Sequence, residues 1–281
     1  MDLEITRPAA LVRRDFLRLV AASASALGVG GAAAAPDELR VQRLAWAGIR
    51  LQLPTGVLFI DPLTSPDVWG PALGDKLVPV GDGNGSRYVL VTHSHSDHAD
   101  PLAIREALGT TGQLIYPETA PPPHVPGVRM RAAKLYEPLL LGDFTATPVP
   151  AADGYGDPQV SWVVSAGGKR IIHCGDTAWH GAWWRIGRQH GPFDAAFLPI
   201  NGAKFSFRDP PSDIPAVLTP EQAIAAAVVL GAKMIVPIHH GVKGAENYAE
   251  IDAPLALLHG AADRRHVKVN VVAPGDWLRW R

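Results

Sequence analysis

The sequence predicts an α+β chain built as a four-layer αββα sandwich, two β-sheets face to face with helices on their outer sides. Three observations predict it. From about Leu39 short apolar runs bounded by turn residues dominate, such runs stand near both ends with helical segments inserted between them, and no repeat at a fixed period relates them. At 281 residues the chain holds one large domain or two small ones, and no linker divides it.

In chain order, strands are expected at residues 41–45, 49–53, 57–60, 88–92, 113–116, 160–165, 170–174, 195–200, 233–238 and 267–272, each a short apolar run between turn residues. The first helix should open with Pro101, capped by Asp100, and run to Leu108 before Gly109. Thr219-Pro220-Glu221-Gln222 reads as a capping box with Pro at the first helical position, starting a helix that stops at Gly231. A third helix is expected between Glu246 and Gly260.

Composition narrows the function. With 26 Lys and Arg against 27 Asp and Glu, the chain has no overall field to gather nucleic acid, and none is expected as a partner. One Cys allows neither an intrachain disulfide nor a thiolate cluster, so any metal site must use His, Asp and Glu. Residues 1–35 differ from the rest. Arg13-Arg14-Asp15-Phe16-Leu17-Arg18 followed by an uncharged, Ala-rich run resembles a twin-arginine export signal, with small-residue cleavage sites at Ala32 to Ala35. The expected organisation is a signal over 1–35, read by the export machinery, and a catalytic domain over 36–281 in a periplasmic or secreted protein.

The sharpest motif is Val91-Thr92-His93-Ser94-His95-Ser96-Asp97-His98, directly after an apolar strand. In extended chain His93 and His95 project to one side, and the turn into the helix at Asp100 carries Asp97 and His98 back toward them. Two imidazoles beside a carboxylate and a third imidazole can serve two adjacent metal ions.

This string resembles the His-x-His-x-Asp-His signature of the metallo-β-lactamase superfamily. Ile60-Asp61-Pro62 is similar to the early "DP" element of that fold, Cys174-Gly175-Asp176-Thr177 to its "GDT" element, and Pro237-Ile238-His239-His240-Gly241 to its closing "P-x-H" element. Within the superfamily the chain resembles the branch of ascorbate-6-phosphate lactonases and N-acylphosphatidylethanolamine-hydrolysing phospholipases D. The resemblance implies metal ligands His93, His95, Asp97, His98, Asp176 and His239, with Asp176 shared between two ions. One departure stands out. The loop that usually supplies a third His to the first ion reads Pro150-Ala151-Ala152-Asp153-Gly154-Tyr155-Gly156-Asp157 and contains none. Asp153 is expected to bind in its place, with Asp157, a water-filled position or no first site as alternatives.

Three carboxylates, Asp97, Asp153 and Asp176, with one hydroxide balance two divalent cations. The donor set suits zinc first, with manganese or iron as alternatives. The implied activity is metal-dependent hydrolysis, with a metal-bridging hydroxide attacking an ester, lactone or phosphodiester. Asp97 would orient that hydroxide, and His240 would serve as an acid toward the substrate. A di-iron redox protein of the same fold, and a metal-containing binding protein without turnover, are the rival readings. Cys174 reads as a small core residue with His173 facing the other way, and Asp61 as a hydrogen-bonding support for the first motif. Loops 63–75, with Trp69, and 201–218, with Lys204, Phe205, Phe207 and Arg208, would shape a pocket for a small-molecule or lipid-like substrate.

Overall fold

The computed structural model describes residues 38–81 and 83–280, so the export signal expected over 1–35 lies outside the described residues. The first sheet contains β1 (Arg40–Arg43), β2 (Ile49–Leu53), β3 (Gly56–Ile60), β4 (Ser86–Leu90), β5 (Gln113–Pro117) and β6 (Arg129–Ala133), in that spatial order. The second contains β7 (Leu139–Leu141), β8 (Phe144–Pro150), β9 (Val160–Ala166), β10 (Lys169–His173), β11 (Ala195–Pro199) and, beyond a short β12 (Lys204–Phe205), β13 (Ile235–Ile238). Its spatial order is β13-β11-β10-β9-β8-β7. β12 pairs with β14 (Tyr248–Ala249) as a separate two-stranded ribbon. Among the described residues four α-helices accompany the sheets: α1 (Pro101–Leu108), α2 (Trp183–His190), α3 (Pro220–Leu230) and α4 (Pro254–Arg265).

Side-chain alternation along the strands builds the layers. Leu58 and Ile60 of β3, with Ile171 of β10 and Phe197 of β11, point into the core between the sheets. Their neighbours point outward. Val57 and Phe59 pack with Ile104 and Leu108 of α1, while Ile172, Ala196 and Leu198 pack with Ile186 of α2, Ala223 and Leu230 of α3 and Leu258 of α4. The αββα order is therefore the one expected.

Both predicted caps form. The Asp100 carboxylate accepts from the Leu102 backbone N–H, and Thr219 and Gln222 complete the reciprocal capping box. Two expectations are corrected, and one strand is found where none was expected. The strand at 267–272 is reduced to one bridge between Val269 and Ile235, because the next ladder position on β13 is Pro237, which has no N–H to donate. The third helix begins only at Pro254, since proline fits the first turn of a helix and not its interior, and Tyr248–Ala249 pair in the ribbon instead. The stretch holding β8, with Pro148 and Pro150, is a strand. Its prolines lie beyond three-residue β7, where the Tyr136 N–H donates to the Pro148 carbonyl and no ladder calls on a proline N–H.

One edge of the sandwich gathers the strand ends that matter. β3, β4, β8, β10, β11 and β13 run in a common sense within their sheets, and Asp61, His93, Asp153, Asp176, Asn201 and His239 follow their C-terminal ends. Hydrogen bonds close the two sheets there: Val160 N–H and the Trp162 indole donate to the carbonyls of Thr92 and Val91, and His173 Nε2 donates to the Ala47 carbonyl at 2.7 Å. His173 is thus a buried structural group, and Cys174 is buried with its thiol pushed up to about 12 by burial, as expected of a core residue.

Candidate metal centre

Asp61 organises the first motif. It is fully buried in the left-handed region (φ +47°), and its carboxylate accepts from the Thr92 N–H at 2.8 Å, the Thr92 hydroxyl at 2.7 Å and His98 Nδ1 at 2.8 Å. Thr92 has one hydroxyl hydrogen and gives it to Asp61. His93 Nδ1, 3.0 Å from the same hydroxyl, must therefore be the donor to it. Both imidazoles thus carry a proton on Nδ1, which leaves Nε2 as the atom each can offer to an ion.

The GDT loop is built around the same threonine. Gly175 has φ +59°, and a Cβ there would stand 2.8 Å from Thr92 Oγ1, so only glycine brings Asp176 this close without displacing the network. Thr177 then fixes the loop of Asp153: its hydroxyl accepts from the Ala152 N–H at 2.9 Å, and the Ala178 N–H donates to the Ala152 carbonyl at 2.7 Å. Gly154 presses on Ala216, where a Cβ would meet a backbone oxygen at 2.3 Å.

These supports bring the predicted residues into two groups. His93, His95, Asp153 and Asp176 present donor atoms within 4.8 Å of one another, as do Asp97, His98 and His239. Asp176 Oδ2 lies 3.7 Å from His93 Nε2 and 3.9 Å from His239 Nε2, and Asp97 Oδ2 lies 3.7 Å from His98 Nε2. Those separations exceed a hydrogen bond, yet fall within the ~4 Å that two ligands spanning one ion at about 2.0–2.2 Å each can cover. The Nε2 atoms of His93, His98 and His239 and Oδ1 of Asp176 are all buried without a hydrogen-bond partner. Four converging orphan donors fit a cation, which would satisfy them together.

The electrostatics carry the same demand. Burial holds His93 and His239 well below the usual imidazole range, and the nearby His98 depresses them further. Burial opposes charge on His98 too, but Asp97, Asp61 and Asp176 outweigh it and push His98 up to about 10. Burial raises Asp153 and Asp176, and the charge of Asp176 raises Asp153 again. Carboxylates gathered in a buried place with too little positive charge are what divalent ions would neutralise.

Asp157 is not in either group. It meets His95 Nε2 at 3.0 Å from the cavity side, while Asp153 sits among the histidines and accepts from the Tyr155 N–H at 2.6 Å. His240 is also apart: it does not line the cavity, and it faces Arg43 and Asp75 on the other side of the β13 end. His239 has a positive φ (+55°), and burial lowers His240 to about 4, so it is a neutral imidazole and not the imidazolium a proton donor to substrate would need.

Sequence reasoning missed several supports. The Trp46 indole donates to Asp97 Oδ2 at 3.0 Å, and its ring lies 4.0 Å from that of His239. Asn201 meets His239 Nδ1 at 3.1 Å through its side-chain amide, which also lies 2.6 Å from the Tyr248 hydroxyl. Asn201 carried a readable signal, since it follows a strand end as the ligands do; Trp46, in a turn, carried none. Above the cluster lies a cavity of about 380 Å³ walled by Trp69, Tyr155, Phe205, Phe207 and Tyr248. Lys204 faces a different cavity, with Asn247 and Ala249.

Residues 58–240 match the family model of a beta-lactamase superfamily domain. A UPF0173 metal-dependent hydrolase of Rubrobacter xylanophilus is 30% identical over 222 residues, covering 72% of this chain and 81% of its own. One of Thermus thermophilus is 32% identical over 216 residues, covering 73% of this chain and 87% of its own. Among solved structures, Igni18, a metallo hydrolase of Ignicoccus hospitalis, superposes with a TM-score of 0.62 at 19% identity, covering 85% of this chain and 97% of that one, a likeness of fold. The match over 58–240 takes in the strand ends of both sheets from Asp61 to His239, and the chain belongs to the metallo-β-lactamase superfamily.

Proposed function

We propose that the chain hydrolyses an ester, lactone or phosphodiester bond with two divalent ions, zinc first among them, held by His93, His95 and Asp153 on one side, by Asp97, His98 and His239 on the other, and by Asp176 between. The observation that carries this reading is the convergence of four buried, unpartnered donor atoms beneath an open cavity. Bound there, the ions would lower the pKa of water and polarise the electrophilic oxygen of the substrate. The protein's own residues do the rest. Asp97, tethered by Trp46, lines the cavity floor and can orient the attacking water. Tyr155 lines the cavity too, and burial with the charge of Asp153 raises its pKa, so its phenol stays protonated and its ring serves as wall. Within the superfamily, the "DP", "GDT" and "P-I-H" strings favour the lactonase and phospholipase D branch as a guide to substrate class.

Purified protein should turn over at least one member of a panel of esters, lactones and phosphodiesters, lose that activity on chelation and regain it with zinc or manganese. A fully metal-loaded protein inert toward all three classes contradicts the reading. Asp153→Ala should lower the affinity of the first ion, whereas Asp153→His restores a neutral imidazole donor and should keep or raise zinc affinity, measured by competition with a chromophoric chelator. Equal affinity in parent and both variants would remove Asp153 from the ligand set.

Export belongs to the same proposal and rests on Arg13-Arg14 and the Ala-rich run after them. Replacing both arginines with lysine should leave the precursor in the cytoplasm on fractionation, because lysine does not reproduce paired guanidinium recognition. Normal export of that double variant speaks against the signal.

A further inference from the structure

The cavity over the cluster is lined by one side chain of permanent positive charge, Arg208. Its guanidinium carbon lies 4.4 Å from the Tyr155 ring centre and 5.7 Å from that of Phe207, and among the described residues no carboxylate pairs with it. Stacking engages the faces of a guanidinium and leaves its in-plane N–H fork open. That fork matches a carboxylate or phosphate held by two parallel hydrogen bonds. The position is also central. A second cavity, of about 320 Å³, shares Tyr155, Phe205 and Arg208 with the first and continues toward Ile214 and Ala216.

The walls define what accompanies the anion. Aromatic rings follow one another at contact distance around the first cavity: Trp69 to Tyr248 at 4.9 Å, Tyr248 to Phe205 at 5.1 Å and Phe205 to Tyr155 at 4.4 Å. The β12–β14 ribbon, with Phe205 opposite Tyr248, fixes this wall and the segment that carries Arg208. Asp97, Asp157 and Asp176 also line this cavity, so among its side chains the permanent positive complement to an anionic group is Arg208.

We infer that Arg208, stacked on Tyr155 between the two cavities, is the anchor for an anionic group of the substrate, whose apolar part lies against Trp69, Phe205 and Tyr248. The inference deepens the hydrolase reading, on which the word substrate rests, by naming the class: an apolar or aromatic compound bearing a carboxylate or phosphate away from its scissile bond.

The test is calorimetric binding to the metal-loaded protein, with 4-phenylbutyrate, its neutral amide 4-phenylbutyramide, and 3-phenylpropyl phosphate as probes. The parent should bind the carboxylate or the phosphate about tenfold or more tightly than the amide, as expected for charge-assisted hydrogen bonds, and the better of the two names the anion. Arg208→Gln should remove the difference between anion and amide, and Arg208→Lys should keep part of it. Three results would overturn the inference: no preference in the parent, a preference that survives in Arg208→Gln because the ions hold the anion, or an equal weakening of anion and amide, which marks a packing role. A protein that hydrolyses no ester, lactone or phosphodiester yet shows the Arg208-dependent preference supports the anchor and removes the hydrolase reading; hydrolysis without the preference removes the anchor alone.

Discussion

Asp61→Asn is expected to empty both metal-binding groups while leaving the fold in place. The Thr92 backbone N–H can only donate, so the carboxamide oxygen must take the position of Oδ1, which puts the NH₂ where Oδ2 stood. That NH₂ faces Thr92 Oγ1 and His98 Nδ1, and both must now accept. His98 shifts its proton to Nε2. The Thr92 hydroxyl, no longer donating to residue 61, turns its hydrogen to His93 Nδ1, and His93 shifts its proton to Nε2 as well. One exchange of oxygen for NH₂ thus removes a metal-facing lone pair from each group. Long-range ¹H–¹⁵N spectra of the metal-free variant should show both histidines as Nε2–H tautomers, with metal content near zero. Asp61→Ala differs in kind, because it leaves three buried donors unpaired at a cost of about 3–5 kcal/mol, and should show as a large fall in Tm. Unchanged tautomers and full metal content in Asp61→Asn would show that the network does not set the ligands.

Asp176→Ala should lower activity by more than about 100-fold, since supporting groups outside the ligand set already change metal affinity or activity by 10–100-fold and Asp176 reaches histidines of both groups. Its effect on the metal-free protein should have the opposite sign. Burial raises the Asp176 pKa in the folded state, so at neutral pH its ionised carboxylate disfavours folding, and its removal relieves that cost. Thermal unfolding with and without zinc separates the two effects. The metal-free variant should melt at or above the metal-free parent, while the rise in Tm that zinc gives the parent should vanish. A lower metal-free Tm with the zinc-induced rise intact would make Asp176 a structural residue.

How much of this was legible in sequence follows from how local each signal is. The His93 to His98 string could be read because a strand end and a helix cap at Asp100 fix its geometry within eight residues. Asp61, Asp176 and His239 were legible as strand-end residues, although only the parallel order of β3, β4, β10, β11 and β13 brings them to one edge. The coupling of Asp153 to Asp176 was not legible, because it runs through Thr177 to the backbone of Ala152, 25 residues away. Trp46 lies 51 residues from its Asp97 partner, and its role follows from sheet packing that no local pattern encodes. His240 shows the reverse failure: adjacent to His239 in sequence, it lies against Arg43 and Asp75 and outside the cavity lining, as neighbouring side chains at a strand end alternate in direction.

Metal content of the purified protein, by elemental analysis after saturation with zinc and removal of loosely bound ions, tests the two-group centre most directly. The parent should hold about two ions per chain, and Asp153→Ala and His239→Ala about one each, because each loses a donor from a different group. A parent that retains no ion, or two ions undiminished in both variants, would contradict it.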